Sequence, residues 1–288
     1  MRKWLPYVFL LPTFVIIGLF IYYPAFESLY LSFFKVSVFG NRKVFVWFDN
    51  YKELFSDDKF INAFKFTIVF TTITVTVSVF LSFFIALLLN QKVAGIRFFR
   101  TLIFAPYAVS TAVAGALWGF LLNPVVGHVN YFMAQLFGVQ TNWLVTKPYA
   151  AYAVIIAAIW KTIPFNIIFY IAGLQSIPDE LIEASKLDGA GLWKRVWKVL
   201  FPLLSPITFY LVIMSIISSM FQSFAIIDVM TKGGPGDYTT NIIYRIYLDG
   251  FRFSKTGPAS AQSVILFLIM VVVTLIYFTI GKKNVHYQ

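Results

Sequence analysis

The chain has no cysteine, two histidines and little charge: Asp, Glu, Lys and Arg make up 12% of its 288 residues. The missing thiols exclude disulfides, thiolate nucleophiles and cysteine-ligated metals. His128 and His286 have no partner at metal-ligand spacing. Soluble domains carry about 25% charged residues, so roughly half the charge a water-facing surface needs is present. What replaces it is apolar, with 59% hydrophobic residues including 33 Phe, and a mean hydropathy of +0.79.

Residues 4–26, 66–91, 199–227 and 256–281 hold no charge at all. A helix rising 1.5 Å per residue spans the bilayer core in about 20 residues, so each run suffices. Asn123, Pro124 and Gly127 break the stretch between Arg100 and Lys147, and Lys161 alone interrupts a further apolar run. The expected fold is all-α and integral to the membrane. Its six transmembrane helices fall at about 4–30, 66–90, 101–122, 149–173, 202–227 and 258–281, in a single domain over 1–288. Met1-Arg2-Lys3 before an apolar run resembles a leader. The run lacks a small-residue cleavage site and continues through Tyr22-Tyr23-Pro24, so an uncleaved first span is expected.

A net charge of +11 fits either a phosphate-binding surface or a membrane protein with cationic loops. The basic residues are scattered between spans, which favours the membrane and excludes nucleic acid as partner. With the N-terminus in the cytoplasm, the inner segments hold Arg2, Lys3, Lys92, Arg97, Arg100, Lys186, Lys194, Arg195, Lys198, Lys282 and Lys283. The longer outer loops hold ten: Lys35, Arg42, Lys43, Lys52, Lys59, Lys147, Lys232, Arg245, Arg252 and Lys255. The positive-inside bias therefore predicts both termini in the cytoplasm.

The inner loop, 175–201, is unusual for a connector. Pro178-Asp179-Glu180 is a helix start, with proline early and acids facing the unpaired N–H groups. The helix is expected to run to about Leu187 and stop at Gly189. A second helix over 192–200 places Trp193, Val196, Trp197 and Leu200 on one face and Lys194, Arg195 and Lys198 opposite, as in a helix lying on a membrane surface. Pro202 and Pro206 open the fifth span.

Glu183-Ala184-Ser185, three residues, Gly189, nine residues, then Val199-Leu200-Phe201-Pro202 resembles the EAA loop of permease subunits in bacterial ATP-binding-cassette importers. Asp188-Gly189-Ala190 sharpens the match; Ser185, Val199 and Phe201 are mild departures from Ala, Ile and Leu. Such fixed spacing is far more specific than a lone glycine motif. Asn123-Pro124-x-x-Gly127-x-x-Asn130 and Thr231-x-Gly233-Gly234-Pro235 resemble outer-loop signatures of the carbohydrate-uptake branch. Ala105-Pro106-Tyr107-Ala108-Val109, Ile243-Tyr244-Arg245-Ile246-Tyr247, Ala261-Gln262-Ser263 and Val285-His286-Tyr287-Gln288 are similar to its glycerol-3-phosphate type.

The resemblance implies a type I importer permease in the bacterial cytoplasmic (inner) membrane. Its partners would be a second homologous permease, two ATPase subunits, an extracytoplasmic solute-binding protein and the lipid bilayer. The cargo would be a sugar, oligosaccharide, polyol or glycerol 3-phosphate. This chain has no Gly-x-x-x-x-Gly-Lys-Ser/Thr loop to cradle nucleotide phosphates. It is therefore expected to bind no cofactor and to be no enzyme, with ATP and Mg held by the ATPase subunits. The resemblance further implies that Glu183, Ala184, Ser185, Asp188, Gly189 and Ala190 couple the permease to the ATPase.

For the substrate pathway, Lys161 is the one ionisable residue in mid-span, and such a residue defaults to a functional hypothesis. Three roles fit it: facing the pore, pairing with an acid of the partner permease, or donating to helix carbonyls. Trp160 and Asn166 lie beside it. Ser219 and Gln222 belong to a polar set, with Ser218 and Ser223, along the fifth span; hydroxyls there often bond to helix backbone instead. Tyr107 is an aromatic suited to stacking on a sugar ring.

Two other classes fit the sequence less well. An ion-gradient-driven secondary transporter wants intramembrane carboxylates, whereas Glu27 and Asp228 fall only near span ends. An intramembrane enzyme wants a catalytic pair inside a span, and none is present there.

Overall fold

The structure is a computed structural model that describes residues 5–37, 42–91, 93–138 and 140–284, apart from the side chains of 5, 6, 280 and 282–284. Arg2, Lys3, Lys92, the side chains of Lys282 and Lys283, and the terminal residues 285–288 thus lie outside the described residues. Among those described, five helical runs are long and apolar enough to cross a bilayer: Tyr7–Leu31, Asp58–Leu89, Tyr149–Ser176, Ser205–Met230 and Thr256–Thr279. The chain packs as two compact units, Met1–Ile61 with Ile242–Val272 and Asn62–Asn241 with Val273–Gln288.

The third expected span differs from a single rod. It is two helices, Ile96–Ala108 and Thr111–Leu121, meeting at 105°. Pro106 removes a backbone donor near the end of the first helix. Val109 and Ser110 then turn extended, and the Ser110 hydroxyl caps the second helix by accepting from Val113 N–H at 3.3 Å. Counted as one span, the pair makes a sixth crossing.

In the first unit the exposed apolar run Tyr7–Leu31 is two helices joined by a π turn at Gly18–Tyr22. A two-stranded antiparallel ribbon, Phe34–Val36 with Lys43–Phe45, is an addition to the all-helical expectation. Buried Asn50 anchors it, its amide donating to the carbonyls of Ser32 (2.8 Å) and Phe34 (3.0 Å). A Cβ on Gly257 would lie 2.2 Å from the Phe34 carbonyl oxygen, so only glycine fits there. Arg245 and Asp249, both buried, pair at 2.8 and 3.1 Å, and Gln262 donates to the same carboxylate at 2.7 Å. Two of the sequence signatures therefore meet on one buried acid.

The second unit has an apolar core in which Phe83, Ala86 and Leu89 pack against Ile167, Tyr170 and Leu174, and against Val196, Leu200 and Leu204. Small residues let helices approach closely, as in membranes generally. Gly173 is an instance, because a Cβ there would fall 2.0 Å from Ile207 Cδ1. Residues 192–203 keep the helical path but pass through a π turn at Val196–Leu200. Val196 and Leu200 are buried while Trp193 and Trp197 stay exposed, with rings against Phe84.

Candidate functional site

The break in the third span creates the chemistry of the site. The last carbonyls of a helix have no intrahelical partner. Lys161, halfway along Tyr149–Ser176, supplies one: its ammonium donates to the carbonyls of Pro106 at 3.0 Å and Tyr107 at 3.2 Å. A cation suits this negative helix end. The same ammonium lies 5.5 Å from the centre of the Tyr107 ring. Of the roles open to Lys161, donation to helix carbonyls is thus observed, and it coexists with a place at a cavity.

That cavity has a volume of about 260 Å³ and is lined by Tyr107, Lys161, Thr162, Phe165, Ser218 and Gln222 among others. Tyr107 and Phe165 stack with ring centres 6.1 Å apart. A much smaller neighbouring space, about 20 Å³, is shared by Lys161 and Gln222 with Ser219, Ser223 and Thr74. Among the described residues the lining of both holds one cation and no carboxylate. Among the described residues the buried Thr74 hydroxyl there has no hydrogen-bond partner.

The expected pathway residues divide accordingly. Tyr107, Lys161 and Gln222 come together at the larger space, and Ser219 reaches the smaller one while its hydroxyl donates to Ile216 carbonyl at 3.0 Å. Trp160 and Asn166 are outside both linings. Trp160 meets Trp118 edge-on at 6.0 Å. Fully buried Asn166 ties three helices, donating to Ser78 (3.5 Å) and accepting from Ser215 (3.4 Å). Thr162, Phe165 and Met214 also line the cavity, and no sequence signal marks them. Ser215, Ser218 and Gln222 fall at i, i+3 and i+7, so their shared face was legible as one helical stripe.

The inner loop is built around a helix over Asp179–Leu187, with acids in its first turn and Lys186 in its last. Gly189 N–H donates to Lys186 carbonyl and Ala190 N–H to Ser185 carbonyl, each at 3.0 Å, while Gly189 has φ +70°. This is a Schellman termination, and it explains a glycine four positions after Ser185. Ser185 is buried, its hydroxyl bonded to Ile182 carbonyl at 2.7 Å. Glu183, Ala184 and Asp188 are exposed, and so is Leu187.

The outer-loop signatures are self-bonding turns. Asn123 Oδ1 accepts from Val125 and Val126 N–H at 2.9 and 3.1 Å, immediately around Pro124. Asn130 donates to Asn123 carbonyl (3.2 Å) and accepts from Trp143 Nε1–H (2.8 Å). A Cβ on Gly127 would lie 2.3 Å from the Asn123 carbonyl oxygen. In the second signature Thr239 donates to Gly234 carbonyl (2.6 Å) and Thr240 to Gly233 carbonyl (3.2 Å), around Pro235. Gly233 adopts φ +78°. The Lys147 ammonium lies 5.1 Å from the centre of the Tyr238 ring, which brings the two loops together. An unforeseen helix, His128–Phe137, fills the first loop.

Residues 78–285 match the family described as "Binding-protein-dependent transport system inner membrane component". The sn-glycerol-3-phosphate transport system permease protein UgpA of Escherichia coli is 40% identical over 286 residues, 99% of this chain and 97% of that one. The Agrobacterium fabrum protein of the same name is 38% identical over the same length. Among solved structures, a bacterial ABC transporter involved in the import of the acidic polysaccharide alginate shares the fold. Its TM-score is 0.86 at 23% identity, covering 99% of this chain and 97% of that chain. A chain of the MetNI methionine ABC transporter matches at TM-score 0.53 and 17% identity, over 80% of this chain and all of that one.

The chain belongs to the binding-protein-dependent transport system inner membrane component family. It is an inner-membrane permease of the ABC importer class, a transport component rather than an enzyme. This decides against the ion-gradient and intramembrane-enzyme alternatives.

Proposed function

We propose that this chain is one of two permeases of an ATP-driven importer whose cargo is glycerol 3-phosphate or a closely related polyol phosphate. The observation that carries the cargo is the 40% identity, end to end, with permeases of an sn-glycerol-3-phosphate transport system. The chemistry of the cavity is compatible with such a solute. One ammonium, the amide of Gln222 and a row of hydroxyls face it beside an aromatic ring, with no carboxylate to repel a phosphate.

In this reading the solute arrives on an extracytoplasmic binding protein and passes between this chain and the second permease. Both termini lie in the cytoplasm. ATP and Mg stay in two ATPase subunits, which seat the helix Asp179–Leu187. Glu183 presents the charge, Ala184 the close contact surface, and Ser185, Asp188, Gly189 and Ala190 the rigid termination. A stiff element with differential contacts in two states is what coupling requires. Lys161 donates to the passing phosphate, Tyr107 packs on its carbon chain, and Gln222 and Ser219 offer hydrogen bonds. Trp160 and Asn166 hold the helices that carry these groups.

Purification of the assembled complex tests this. The chain is expected to co-purify with a second permease and two ATPases, and glycerol 3-phosphate-loaded binding protein is expected to stimulate ATP hydrolysis. Stimulation by an unphosphorylated sugar alone would overturn the cargo, and failure to hold any ATPase would overturn the importer role.

A further inference from the structure

A second, larger cavity lies away from the pathway. Its volume is about 620 Å³, and it sits between the C-terminal end of the helix Asp58–Leu89, the helix Asp179–Leu187 and the turn Leu192–Arg195. Phe84, Leu87 and Leu88 line it from the first, with Leu192 and Trp193 from the last. Leu88, Leu192 and Trp193 are each more than half exposed. Among the described residues the polar lining consists of Asn90, Gln91, Lys186 and Arg195, with no carboxylate. Among the described residues neither Lys186 nor Arg195 joins an ion pair. The end of the helix Asp58–Leu89 is already satisfied, since the Arg100 guanidinium donates to the Leu89 carbonyl at 2.7 and 3.2 Å.

Two unpaired cations and two amides beside an open apolar wall form an amphipathic site. A free phosphate would satisfy the cations and leave the wall of leucine and phenylalanine in water. An acidic peptide would bring backbone groups that this wall cannot bond. A phospholipid matches both halves: phosphodiester on Lys186 and Arg195, glycerol oxygens on Asn90 and Gln91, acyl chains along Leu87, Leu88 and Phe84. Trp193, exposed beside the C-terminal end of the helix Asp58–Leu89, suits the headgroup level at which indoles settle. Basic pockets between transmembrane helices take anionic headgroups by the same electrostatics. We propose that this cavity binds an anionic phospholipid and thereby braces the helix Asp179–Leu187 against the helix Asp58–Leu89. The lipid would act as a structural ligand, independent of the imported solute.

The test uses the assembled importer in nanodiscs of phosphatidylcholine with increasing phosphatidylglycerol, and native mass spectrometry to count retained lipid. Each basic residue at an anionic headgroup is worth about a fivefold change in affinity. Lys186→Gln with Arg195→Gln is expected to weaken phosphatidylglycerol retention roughly twenty-five-fold. Lys194→Gln with Lys198→Gln, outside the lining, is expected to leave retention unchanged. Leu88→Glu, which keeps both cations but puts a carboxylate on the wall, is expected to lose the lipid too. Equal loss in the Lys194/Lys198 pair would show diffuse attraction only and overturn the site. So would displacement of the lipid by millimolar inorganic phosphate, or a photo-crosslinker at position 193 that captures only an ATPase subunit and no lipid.

Discussion

Lys161 and Pro106, 55 positions apart in the chain, are joined by a 3.0 Å hydrogen bond from ammonium to carbonyl that closes the end of a broken transmembrane helix. One side chain thus serves both the bend in the third span and the wall of the candidate pathway. Helix breaks at membrane depth persist where other groups re-satisfy the freed backbone, and here the satisfying group is the single cation of the cavity.

Replacing Lys161 by Met removes both charge-assisted bonds while keeping the length of the side chain. The solubilised complex is expected to lose about 2 kcal/mol of stability, the scale of hydrogen bonds to charged groups. Uptake is expected to fall with it. Thermal unfolding with and without the substitution measures the first effect, and a variant as stable as the parent would remove the capping role.

The inner loop makes a different prediction. Glu183→Lys and Gly189→Asp are expected to leave membrane insertion intact and abolish transport, because they alter an exposed surface. Gly189→Ala separates backbone from surface: its Cβ meets nothing within 4 Å, so only the left-handed φ is penalised, by about 1–2 kcal/mol. It is expected to transport at a reduced rate. Membrane fractionation with solute uptake distinguishes these outcomes, and full uptake in the Glu183 and Gly189→Asp variants would contradict the coupling role.

Arg245 and Asp249 form a buried pair, and the Arg245 guanidinium also lies 3.6 Å from the more exposed Asp57 carboxylate. Among the described residues, Arg245→Met leaves the Asp249 carboxylate with only Gln262 as its hydrogen-bonding side-chain partner, and is expected to cost about 3–5 kcal/mol. Arg245→Met combined with Asp249→Leu, which removes both charges, is expected to recover most of that loss. A double-mutant cycle in thermal stability checks it; strict additivity would show that the pair does not interact.

Gly127→Ala places a methyl group 2.3 Å from one backbone carbonyl oxygen and 2.5 Å from another. Neither can move as a side chain would, so the loop is expected to rearrange at a cost of at least about 1–3 kcal/mol. Loss of the Trp143–Asn130 bond is expected to appear as a shift in tryptophan emission. An unchanged spectrum and melting temperature would mean that the turn tolerates a side chain.

Much of this architecture is legible in the residues. Charge-free runs mark spans because a bilayer penalises any charge along them, and Asp179 through Gly189 announce a helix with its stop because both signals are local. The 105° bend was not legible. Pro106 and Ser110 hint at a break, but the Lys161 ammonium that bonds the carbonyls at its edge is distant in sequence. The helix His128–Phe137 lies in a segment that the turn residues Asn123, Pro124 and Gly127 mark as loop, although Gly127 and Gly138 bracket it. Trp160 and Asn166 are near Lys161 in sequence, yet at about 100° per residue they point roughly 100° and 140° away from it. Adjacent positions in a helix rarely share a wall.

Uptake into proteoliposomes containing the complete complex, with loaded binding protein on one face and ATP on the other, is the most direct measurement. Glycerol 3-phosphate is expected to accumulate only when ATP is hydrolysed, and to do so undiminished when ionophores collapse every ion gradient. Accumulation without nucleotide, driven by a proton or sodium gradient, would contradict the assignment of this chain to an ATP-powered importer.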